Sequence, residues 1–525
     1  MLFNSLEFAF FLPIVFLLYW FLTPAGINGP RYSLFHYWHV DEQTALRIQN
    51  AFVLIASYVF YGWWDWRFLL LIAFTSFCSW GSGLLIQNPS QPPHEGRRLF
   101  SPKFWMWLNV IINLGILFTF KYYNFFVEEF CQLFPSLEGR SGWVISLILP
   151  VGISFYTFQA LSYSIDVYRG KIEPTRDIIA FFAFIAFFPQ LVAGPIERAT
   201  NLLPQFLQNR RFSYDQATDG MRQILWGLFK KIVVADNCAT YVDQVWATYD
   251  TQTGSTLLLA AILFTFQIYG DFSGYSDIAI GTAKLFGIKL MRNFNNPYFS
   301  RDIAEFWRRW HISLTTWFRD YVYIPLGGSR PEIPAHIKNP NRYKKWIIVR
   351  NTFVIFLLSG FWHGANWTFI AWGAYHALLF LPLILLGKNR KYTNQVAEGR
   401  FLPTWREALQ ILCTFLLVVL GWIIFRATGM PSLFHYLEGM CDASIFTIPW
   451  LKNREFYIPL FLCIALMLVI EWLQRNKQHG LDFSKSNKKS SHLFRIVLYV
   501  ILTFLIEYYF CLSIEHPSAF IYFQF

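Results

Sequence analysis

Apolar runs of about 20 residues recur along this 525-residue chain and are separated by shorter polar stretches. A run of that length can cross about 30 Å of hydrocarbon as an α-helix, and lipid favours helices because they satisfy their own backbone hydrogen bonds. The pattern therefore predicts an all-α polytopic membrane protein. The expected spans lie near residues 5–23, 48–66, 67–87, 104–123, 142–163, 177–194, 217–235, 255–275, 347–361, 367–386, 407–425, 455–473 and 493–513.

Composition separates the chain from soluble proteins. Hydrophobic residues make up 55% of it and charged residues 14%, whereas a soluble domain carries roughly a quarter charged residues. The first run, residues 5–23, follows no basic residue and precedes no small-residue cleavage site. Secretory signals have both features, so we expect a retained first helix. The seven cysteines never form a C-x-x-C pair, which favours neither a disulfide framework nor a metal site.

The net charge of +12 comes from basic residues in short loops between the apolar runs, such as those of residues 169–176 and 388–406. Cytoplasmic loops of membrane proteins carry this excess. We therefore interpret the charge as a topology signal and predict no nucleic-acid partner. The path of residues 195–300 stays open, because basic residues flank the run at 217–235 on both sides.

Residues 271–350 are too polar for a simple span and too aromatic for a solvated loop. Within them, residues 303–321 have the spacing of a helix with a broad aromatic face. Arginines interrupt that face, which suits an interfacial or re-entrant segment buried in protein. The aromatic members are Phe306, Trp310, Trp317 and Tyr321, and the arginines are Arg308, Arg309 and Arg319.

His363 lies in the segment SGFWHGANW, residues 359–367. The apolar run before it, residues 347–361, gives only about 22 Å of helix, which is shorter than the hydrocarbon core of about 30 Å. The imidazole is therefore expected inside the membrane, where an ionisable side chain is a functional candidate. A neutral histidine hydrogen-bonded between helices is the alternative, and the residues alone leave it open.

His311 lies earlier, in the segment WRRWHIS, residues 307–313. An interfacial histidine among arginines, without a catalytic role, is the alternative here. A catalytic role is nevertheless harder to reject for two histidines, one on each side of a basic loop, than for either histidine alone. No cluster near them has metal-ligand spacing, so we predict no metal site and no bound cofactor.

Acyl transfer from a thioester to an alcohol needs a base, because the hydroxyl loses its proton as it attacks the carbonyl. A neutral histidine is the usual group for this task near pH 7. We predict His363 as the general base and His311 as a catalytic residue of milder effect. The tetrahedral oxyanion needs hydrogen-bond donors, which the indoles of Trp310 and Trp362 or the amide of Asn366 can supply.

Asp271 and Asp277 lie near the end of an apolar run. Two carboxylates there can form a proton path, as in a transporter. They can also pair with Lys or Arg residues of 284–309 or accept backbone N–H bonds. We prefer the pairing interpretation.

Five segments together resemble the membrane-bound O-acyltransferase superfamily, in particular the alginate-type subunits of its bacterial branch. They occur in the family's order, and the resemblance extends to about residue 425. The segments are PVGISFYTFQALSYSIDVYRG (150–170), FFPQLVAGPIERA (187–199), DFSGYSDIAIGTAKLFGI (271–288), NFNNPYFSRDIAEFWRRWHISLTTWFRDYVYIPLGG (293–328) and SGFWHGANW (359–367).

The resemblance implies a multi-helix fold around a transmembrane tunnel, with re-entrant and interfacial helices. His363 falls on the invariant histidine of the superfamily. His311 falls on the second histidine of the bacterial branch, where several eukaryotic members have asparagine. The implied acyl donor is acetyl-CoA from the cytoplasm, and Arg308, Arg309 and Arg319 would suit its phosphates.

The implied function is transfer of an acetyl group across the bacterial inner membrane toward hydroxyls of an extracytoplasmic polysaccharide of the alginate type. The implied partner is a periplasmic acetyltransferase of the serine-hydrolase type, because the chain has no large external domain to hold a polymer. Residues 1–425 would form the catalytic transmembrane core, and residues 426–525 a loop and two further helices. Peptidoglycan, teichoic acid, cellulose or a lipid are alternative acceptors, and a non-catalytic transporter of acyl groups is the alternative class.

Overall fold

This computed structural model of the chain describes residues 1–23, 33–38, 40–86, 100–134, 143–334, 337–450, 454–483, 489–513 and 521. The described residues form α-helices joined by turns and short 3₁₀ or π segments, and none of them forms a β-strand. The predicted all-α fold is therefore confirmed.

The α-helices account for most of the predicted spans. In chain order they are α1 (Leu6–Phe21), α2 (Leu34–Trp38), α3 (Glu42–Gly62), α4 (Arg67–Ile86), α5 (Pro102–Lys121), α6 (Tyr123–Leu133), α7 (Ile153–Tyr168), α8 (Ile178–Ala186), α9 (Phe188–Leu191), α10 (Ala199–Phe206), α11 (Tyr214–Leu228), α12 (Asp236–Ala247), α13 (Gly254–Leu285), α14 (Ile303–Arg309), α15 (Ile312–Phe318), α16 (Pro340–His363), α17 (Trp367–Leu385), α18 (Trp405–Arg426), α19 (Met430–Met440), α20 (Arg454–Leu473) and α21 (Lys489–Ser513).

Seven helical stretches of the described residues are long and apolar enough to cross a membrane. They are α4, α5, α13, α16, α17, α18 and residues His492–Leu512 of α21. The chain is thus a multi-pass membrane protein.

Some of the predicted spans differ from the helices that form, and the run at 217–235 is divided between α11 and a π-helical segment, Phe229–Ala235. The run predicted at 142–163 becomes an α-helix only at Ile153, directly after Gly152, whose φ of 74° is left-handed. The run predicted at 177–194 is divided between α8 and α9. Pro189 lies in the first turn of α9, where its missing N–H removes no intrahelical hydrogen bond. The proline therefore favours a restart of the helix over its continuation.

Contacts divide the chain into two compact units. The first unit consists of Met1–Ile224 with Ile278–Met291, and the second unit of Leu225–Asp277 with Arg292–Phe525. The predicted boundary at residue 425 does not coincide with this division, and the assignment of two domains stays a prediction. The C-terminal helix α20 packs within the second unit, where the Tyr269 hydroxyl donates to Glu471 at 2.6 Å.

Buried polar side chains connect the helices of the first unit. The Ser79 hydroxyl on α4 donates to the Asn109 amide oxygen on α5 at 3.1 Å, and the Asn109 amide nitrogen donates to the Ser164 hydroxyl on α7 at 2.6 Å. Small residues and interhelical hydrogen bonds are the usual means of packing helices where lipid removes the hydrophobic driving force. The three helices thus pack through matched polar groups.

Two buried lysines of the second unit lie in a π-helical segment, Phe229–Ala235, that follows α11. Lys230 pairs with Asp277 at 2.6 Å, and Lys231 pairs with Asp271 at 2.7 Å and with Asp236 at 2.8 Å. Asp271 also accepts the backbone N–H of residue 521 at 2.6 Å. Both aspartates are thus paired as preferred, and their ion-pair partners at 2.6 and 2.7 Å are lysines of residues 229–235. Of residues 284–309, Arg292 also interacts electrostatically with Asp277.

A glycine on α13 lets the lysine-bearing segment come close enough for these pairs. A Cβ at Gly274 would lie 2.7 Å from the Gly227 carbonyl oxygen and 3.0 Å from the Lys231 nitrogen. Any larger residue at 274 would therefore separate α13 from the π-helical segment.

We expect Lys231→Met to destabilise the protein strongly. The substitution leaves the carboxylates of Asp236 and Asp271 buried together without a cation, and breaking a buried ion pair costs about 3–5 kcal/mol. Thermal unfolding of the purified protein in detergent measures the effect. The control is Arg67→Met, which breaks a pair with Asp65 in which the arginine is 61% exposed and should change the midpoint little. Equal midpoints for the two variants would contradict a stabilising role of the buried cluster.

Candidate active site

The segment predicted as a helix over residues 303–321 is interrupted at His311. Helix α14 ends at Arg309, α15 begins at Ile312, and a π-helical turn, Arg319–Tyr323, follows. The prediction of helical spacing was therefore right on both sides of the histidine and wrong at it.

Residues 293–295 supply the hydrogen bonds that replace the helix at this point. The Asn295 N–H donates to the Arg309 carbonyl and the Ile312 N–H to the Asn293 carbonyl, each at 2.9 Å. His311 between them has φ 43° and ψ 55°, in the left-handed region. Such a conformation costs a non-glycine residue about 1–3 kcal/mol and is often found at active sites. Tertiary contacts thus override the local helical pattern and fix the position of the imidazole.

The His311 side chain is 1% exposed and is held through its Nδ1 atom. Nδ1 lies 3.0 Å from the Asn293 amide oxygen. Its Nε2 atom is buried and has no hydrogen-bond partner among the residues that the structure describes. Burial lowers the pKa of this imidazole to about 3, so His311 is neutral near pH 7.

His363 is the last residue of α16 and is 6% exposed. Aromatic rings surround it edge-on: the centroid distances are 4.9 Å to Trp362, 5.1 Å to Phe425 and 5.2 Å to Trp372. These rings come from α16, α17 and α18, so three helices shape the surroundings of the imidazole. The histidine lies in an apolar aromatic enclosure and not at a water-exposed surface.

Close packing of α16 on α17 sets the height of His363 along the helix pair. Gly360, one turn before the histidine, lies so close to the Phe369 carbonyl that a Cβ at residue 360 would overlap its oxygen. Glycine is the residue that permits this approach of two backbones. The connection between the two helices is only three residues long, Gly364 to Asn366.

Trp362 brings the two predicted catalytic histidines into one site. Its ring centroid lies 4.9 Å from that of His363 and 6.0 Å from that of His311. The two imidazoles are 52 residues apart in the sequence numbering, and the same indole contacts both. The structure therefore brings His311, Trp362 and His363 together, and their catalytic roles stay a prediction.

The other two predicted donors to substrate have structural contacts. Trp310 is 1% exposed and packs on Trp422 at 4.9 Å and on Phe294 at 5.0 Å. The Asn366 side chain accepts from the Thr368 N–H at 3.0 Å and donates to the Thr428 carbonyl at 2.9 Å. Asn366 thus caps α17 through its amide oxygen, and its amide nitrogen is already bonded to protein.

The three predicted phosphate-binding arginines differ in exposure. Arg309 is 6% exposed and forms an ion pair with Glu305 at 2.7 Å, so it is directed into the protein and is not part of a surface cluster. Arg308 is exposed and donates to the carbonyls of Asn389 and Tyr392. Arg319 is 57% exposed at its side chain, beside Asp320. Only Arg308 and Arg319 keep the access to solvent that a donor-binding role requires.

Sequence analysis did not identify Asn293, Trp372, Phe425 or Glu305 as parts of this site. Asn293 stands in the quoted segment NFNNPYFSRD, and that position was the only available signal for it. Trp372 and Phe425 are single aromatics in apolar runs, where aromatic residues are common. Nothing in their local sequence distinguishes them from ordinary core residues.

A cavity of about 320 Å³ lies between α17, α18 and the start of α14. Arg301, Leu383 and Cys413 are among its lining residues, and neither His311 nor His363 lines it. The predicted tunnel to the histidines therefore stays a prediction.

Comparison with known proteins agrees with the family that the segments suggested. The model of the membrane-bound O-acyltransferase family, MBOAT, matches residues 173–420. A probable alginate O-acetylase of Pseudomonas aeruginosa is 40% identical over 441 residues, which cover 84% of this chain and 75% of that protein. The chain belongs to the membrane-bound O-acyltransferase family. Both histidines lie inside the segment that the family model matches.

Other members of the family have different named acceptors. A peptidoglycan O-acetyltransferase of Helicobacter pylori is 32% identical over 526 residues, which cover 91% of this chain and 90% of that protein. A teichoic acid D-alanyltransferase of Bacillus subtilis is 30% identical over 306 residues, which cover 55% of this chain and 71% of that protein. The relatives share acyl transfer to cell-surface polymers in their names but not one acceptor.

We expect Gly360→Ala to lower both stability and acyl transfer, because its methyl group would push α16 away from α17 and displace His363. Thermal unfolding and acyl-transfer rate measure the two effects. Gly115→Ala is the matched control: Gly115 lies inside α5 with no neighbour within 4 Å of a built Cβ. Alanine favours helix over glycine by about 1 kcal/mol, so this variant should be as stable as the unmodified protein. If Gly360→Ala also keeps full stability, the close-packing argument is wrong.

Proposed function

We propose that this protein transfers an acetyl group from cytoplasmic acetyl-CoA toward hydroxyls of an extracytoplasmic polysaccharide, and that it does so in the bacterial inner membrane. The observation that supports the proposal best is the contact of one indole, Trp362, with the imidazoles of both His311 and His363. The names of the alginate O-acetylases favour an acceptor of the alginate type.

In the proposed reaction His363 is the general base. Its neutral imidazole accepts the hydroxyl proton while the hydroxyl oxygen attacks the thioester carbonyl. A C–O ester bond forms, the C–S bond breaks, and the imidazolium returns the proton to the departing CoA thiolate. Positioned proton transfer of this kind accelerates a reaction roughly 10²- to 10⁴-fold. His311 orients one of the reactants beside it.

The oxyanion of this reaction requires donors near His363. The amide nitrogen of Asn366 is bonded to Thr428, which leaves the indoles and backbone N–H groups. The Trp372 indole N–H is buried, has no hydrogen-bond partner among the described residues, and belongs to a ring in contact with His363. We include Trp372 with Trp362 as a proposed donor to the oxyanion.

The proposal also names a site for the donor and a partner protein. Arg308 and Arg319 are proposed to bind the phosphates of CoA, since guanidinium groups bind phosphate through paired hydrogen bonds. The acceptor polymer is proposed to be presented by a periplasmic acetyltransferase of the serine-hydrolase type. No bound cofactor is proposed.

A second acceptor has support of its own. The Helicobacter pylori peptidoglycan O-acetyltransferase covers 91% of this chain, against 84% for the Pseudomonas aeruginosa protein. Peptidoglycan is therefore the second candidate acceptor. Purified protein with radiolabelled acetyl-CoA, offered oligosaccharides of alginate or glycan fragments of peptidoglycan, separates the two by which product carries the label.

Substitution of the histidines tests catalysis against simple transport of acyl groups. We expect His363→Ala to lower the rate of CoA release roughly 10²- to 10⁴-fold, while the protein still folds and binds acetyl-CoA. His311→Ala should have a smaller effect. His435→Ala is the control, because His435 is exposed on α19. Unchanged CoA release in His363→Ala would contradict the role of His363 as general base. A larger loss of rate in His311→Ala than in His363→Ala would mean that His311 is the base and His363 the orienting residue.

Substitution of the arginines tests the donor site. Arg308→Gln and Arg319→Gln should each raise KM for acetyl-CoA about tenfold at near-normal kcat, because a hydrogen bond to a charged group contributes about 1.5–3 kcal/mol. Arg309→Gln should instead lower the unfolding midpoint, because it leaves buried Glu305 with one cation fewer. Steady-state kinetics and thermal unfolding measure the two effects. A normal KM in both exposed-arginine variants would argue against phosphate binding there.

A further inference from the structure

The amide oxygen of Asn293 is the acceptor for three groups around His311. The backbone N–H of Ser313 donates to it at 3.3 Å, the Ser313 hydroxyl at 2.9 Å, and Nδ1 of His311 lies 3.0 Å away. On its other side, the Asn293 amide nitrogen donates to the Ser276 hydroxyl on α13 at 3.1 Å. Asn293 is fully buried, so these contacts fix its side chain.

This arrangement determines which nitrogen of His311 carries the proton. A backbone N–H can only donate, so the Asn293 atom that faces Ser313 must be the carbonyl oxygen and not the amide nitrogen. An oxygen of that kind can only accept, so Nδ1 of His311 donates to it at 3.0 Å. The Ser313 hydroxyl also lies 3.4 Å from Nδ1, but its own proton is given to the Asn293 oxygen at 2.9 Å. The ring is therefore the Nδ1–H tautomer, and the lone pair is on Nε2.

The Nε2 lone pair of His311 is directed away from Asn293. It is buried and has no hydrogen-bond partner in the described part of the chain. A buried polar atom in that state is unfavourable, and a hydrogen bond from a bound substrate would satisfy it. The ring on which it sits also contacts Trp362, which contacts His363.

We propose that Asn293 is a positioning residue, which holds His311 in the Nδ1–H tautomer so that Nε2 accepts a hydrogen bond from the hydroxyl of the acceptor substrate. The inference rests on the proposed function, since it assigns the acceptor side of that site. His311 then orients the hydroxyl, and His363 remains the base that takes its proton.

The charged groups around His311 have partners of their own. Arg309 bonds Glu305, and Arg292 donates to the Phe294 carbonyl. On α13, Asp277 pairs with Lys230, while the uncharged Phe272 packs edge-on against the imidazole at 4.7 Å. Arg292 also interacts electrostatically with the carboxylates of Asp277 and Glu471. A charge introduced at residue 293 would therefore be the one in direct contact with Nδ1 of His311.

Asn293→Asp is the decisive variant. A carboxylate at residue 293 keeps an acceptor for Nδ1 and for both Ser313 donors, and the Ser276 hydroxyl can turn to donate to it. Its negative charge favours the imidazolium and so raises the pKa of His311. A protonated Nε2 cannot accept a hydrogen bond. We expect kcat of this variant to fall at low pH by no more than it falls in His311→Ala, and to recover as the pH rises above the raised pKa. Its acid limb therefore lies at higher pH than that of the unmodified protein.

Asn293→Ala is the second variant, and it serves if Asn293→Asp does not fold. Without the acceptor the tautomer is no longer fixed. We expect kcat to fall about tenfold at every pH tested. Tenfold corresponds to about 1.4 kcal/mol, which is within the range for one hydrogen bond. KM for acetyl-CoA should not change, because the donor side is untouched.

The control is Asn351→Ala. Asn351 is fully buried, and its amide donates to the Leu326 carbonyl at 3.1 Å. This variant should lose stability but keep the pH profile of the unmodified protein. A normal pH profile in Asn293→Asp, or a normal kcat in a folded Asn293→Ala, would overturn the positioning role. If His363→Ala still abolishes CoA release in that case, the proposed function stands; if it does not, the proposed function has failed as well.

Discussion

Polar groups buried in a helical membrane protein are tolerated where the protein itself supplies their partners. Helix α13 supplies such contacts through two pairs of residues, each pair separated by one helical turn. Ser273 and Asp277, four residues apart, contact Lys230. Phe272 and Ser276, also four residues apart, contact His311 and Asn293. One helix thus compensates a buried ammonium group and supports the imidazole. The position of α13 is therefore the constraint on which the chemistry of the second unit depends.

The two histidines differ in the support that they receive. His311 is held by hydrogen bonds, with a left-handed backbone and an acceptor at Nδ1. His363 ends a helix and is surrounded by aromatic rings from three helices. The fixed tautomer gives His311 a defined lone pair on Nε2. These differences suit separate tasks, namely proton transfer for one ring and orientation of a hydroxyl for the other.

The apolar periodicity was sufficient to predict the helical class and most of the spans, because lipid leaves few alternatives to helix. It also selected both histidines as candidates, since ionisable residues in or beside apolar runs are rare, and their catalytic roles stay predictions. It could not predict the break at His311, because the hydrogen bonds that replace the helix there come from residues 293–295. Nor could it distinguish buried Arg309 from exposed Arg308. The two are adjacent residues of the same type, and only the structure shows which side chain is directed into the protein. The lysine partners of Asp271 and Asp277 were also missed, because Lys230 and Lys231 belong to another helical segment and local sequence does not show which segments pack together.

The left-handed backbone at His311 restricts which amino acids can replace it during evolution. Steric repulsion between Cβ and the neighbouring carbonyl makes this region costly for most L-residues, while glycine adopts it freely and asparagine is several-fold enriched there. Branched side chains such as valine or isoleucine are the least suited. Chirality of the main chain, and not chemistry alone, thus narrows the exchanges open to this position, and asparagine is the polar residue that backbone geometry admits most easily.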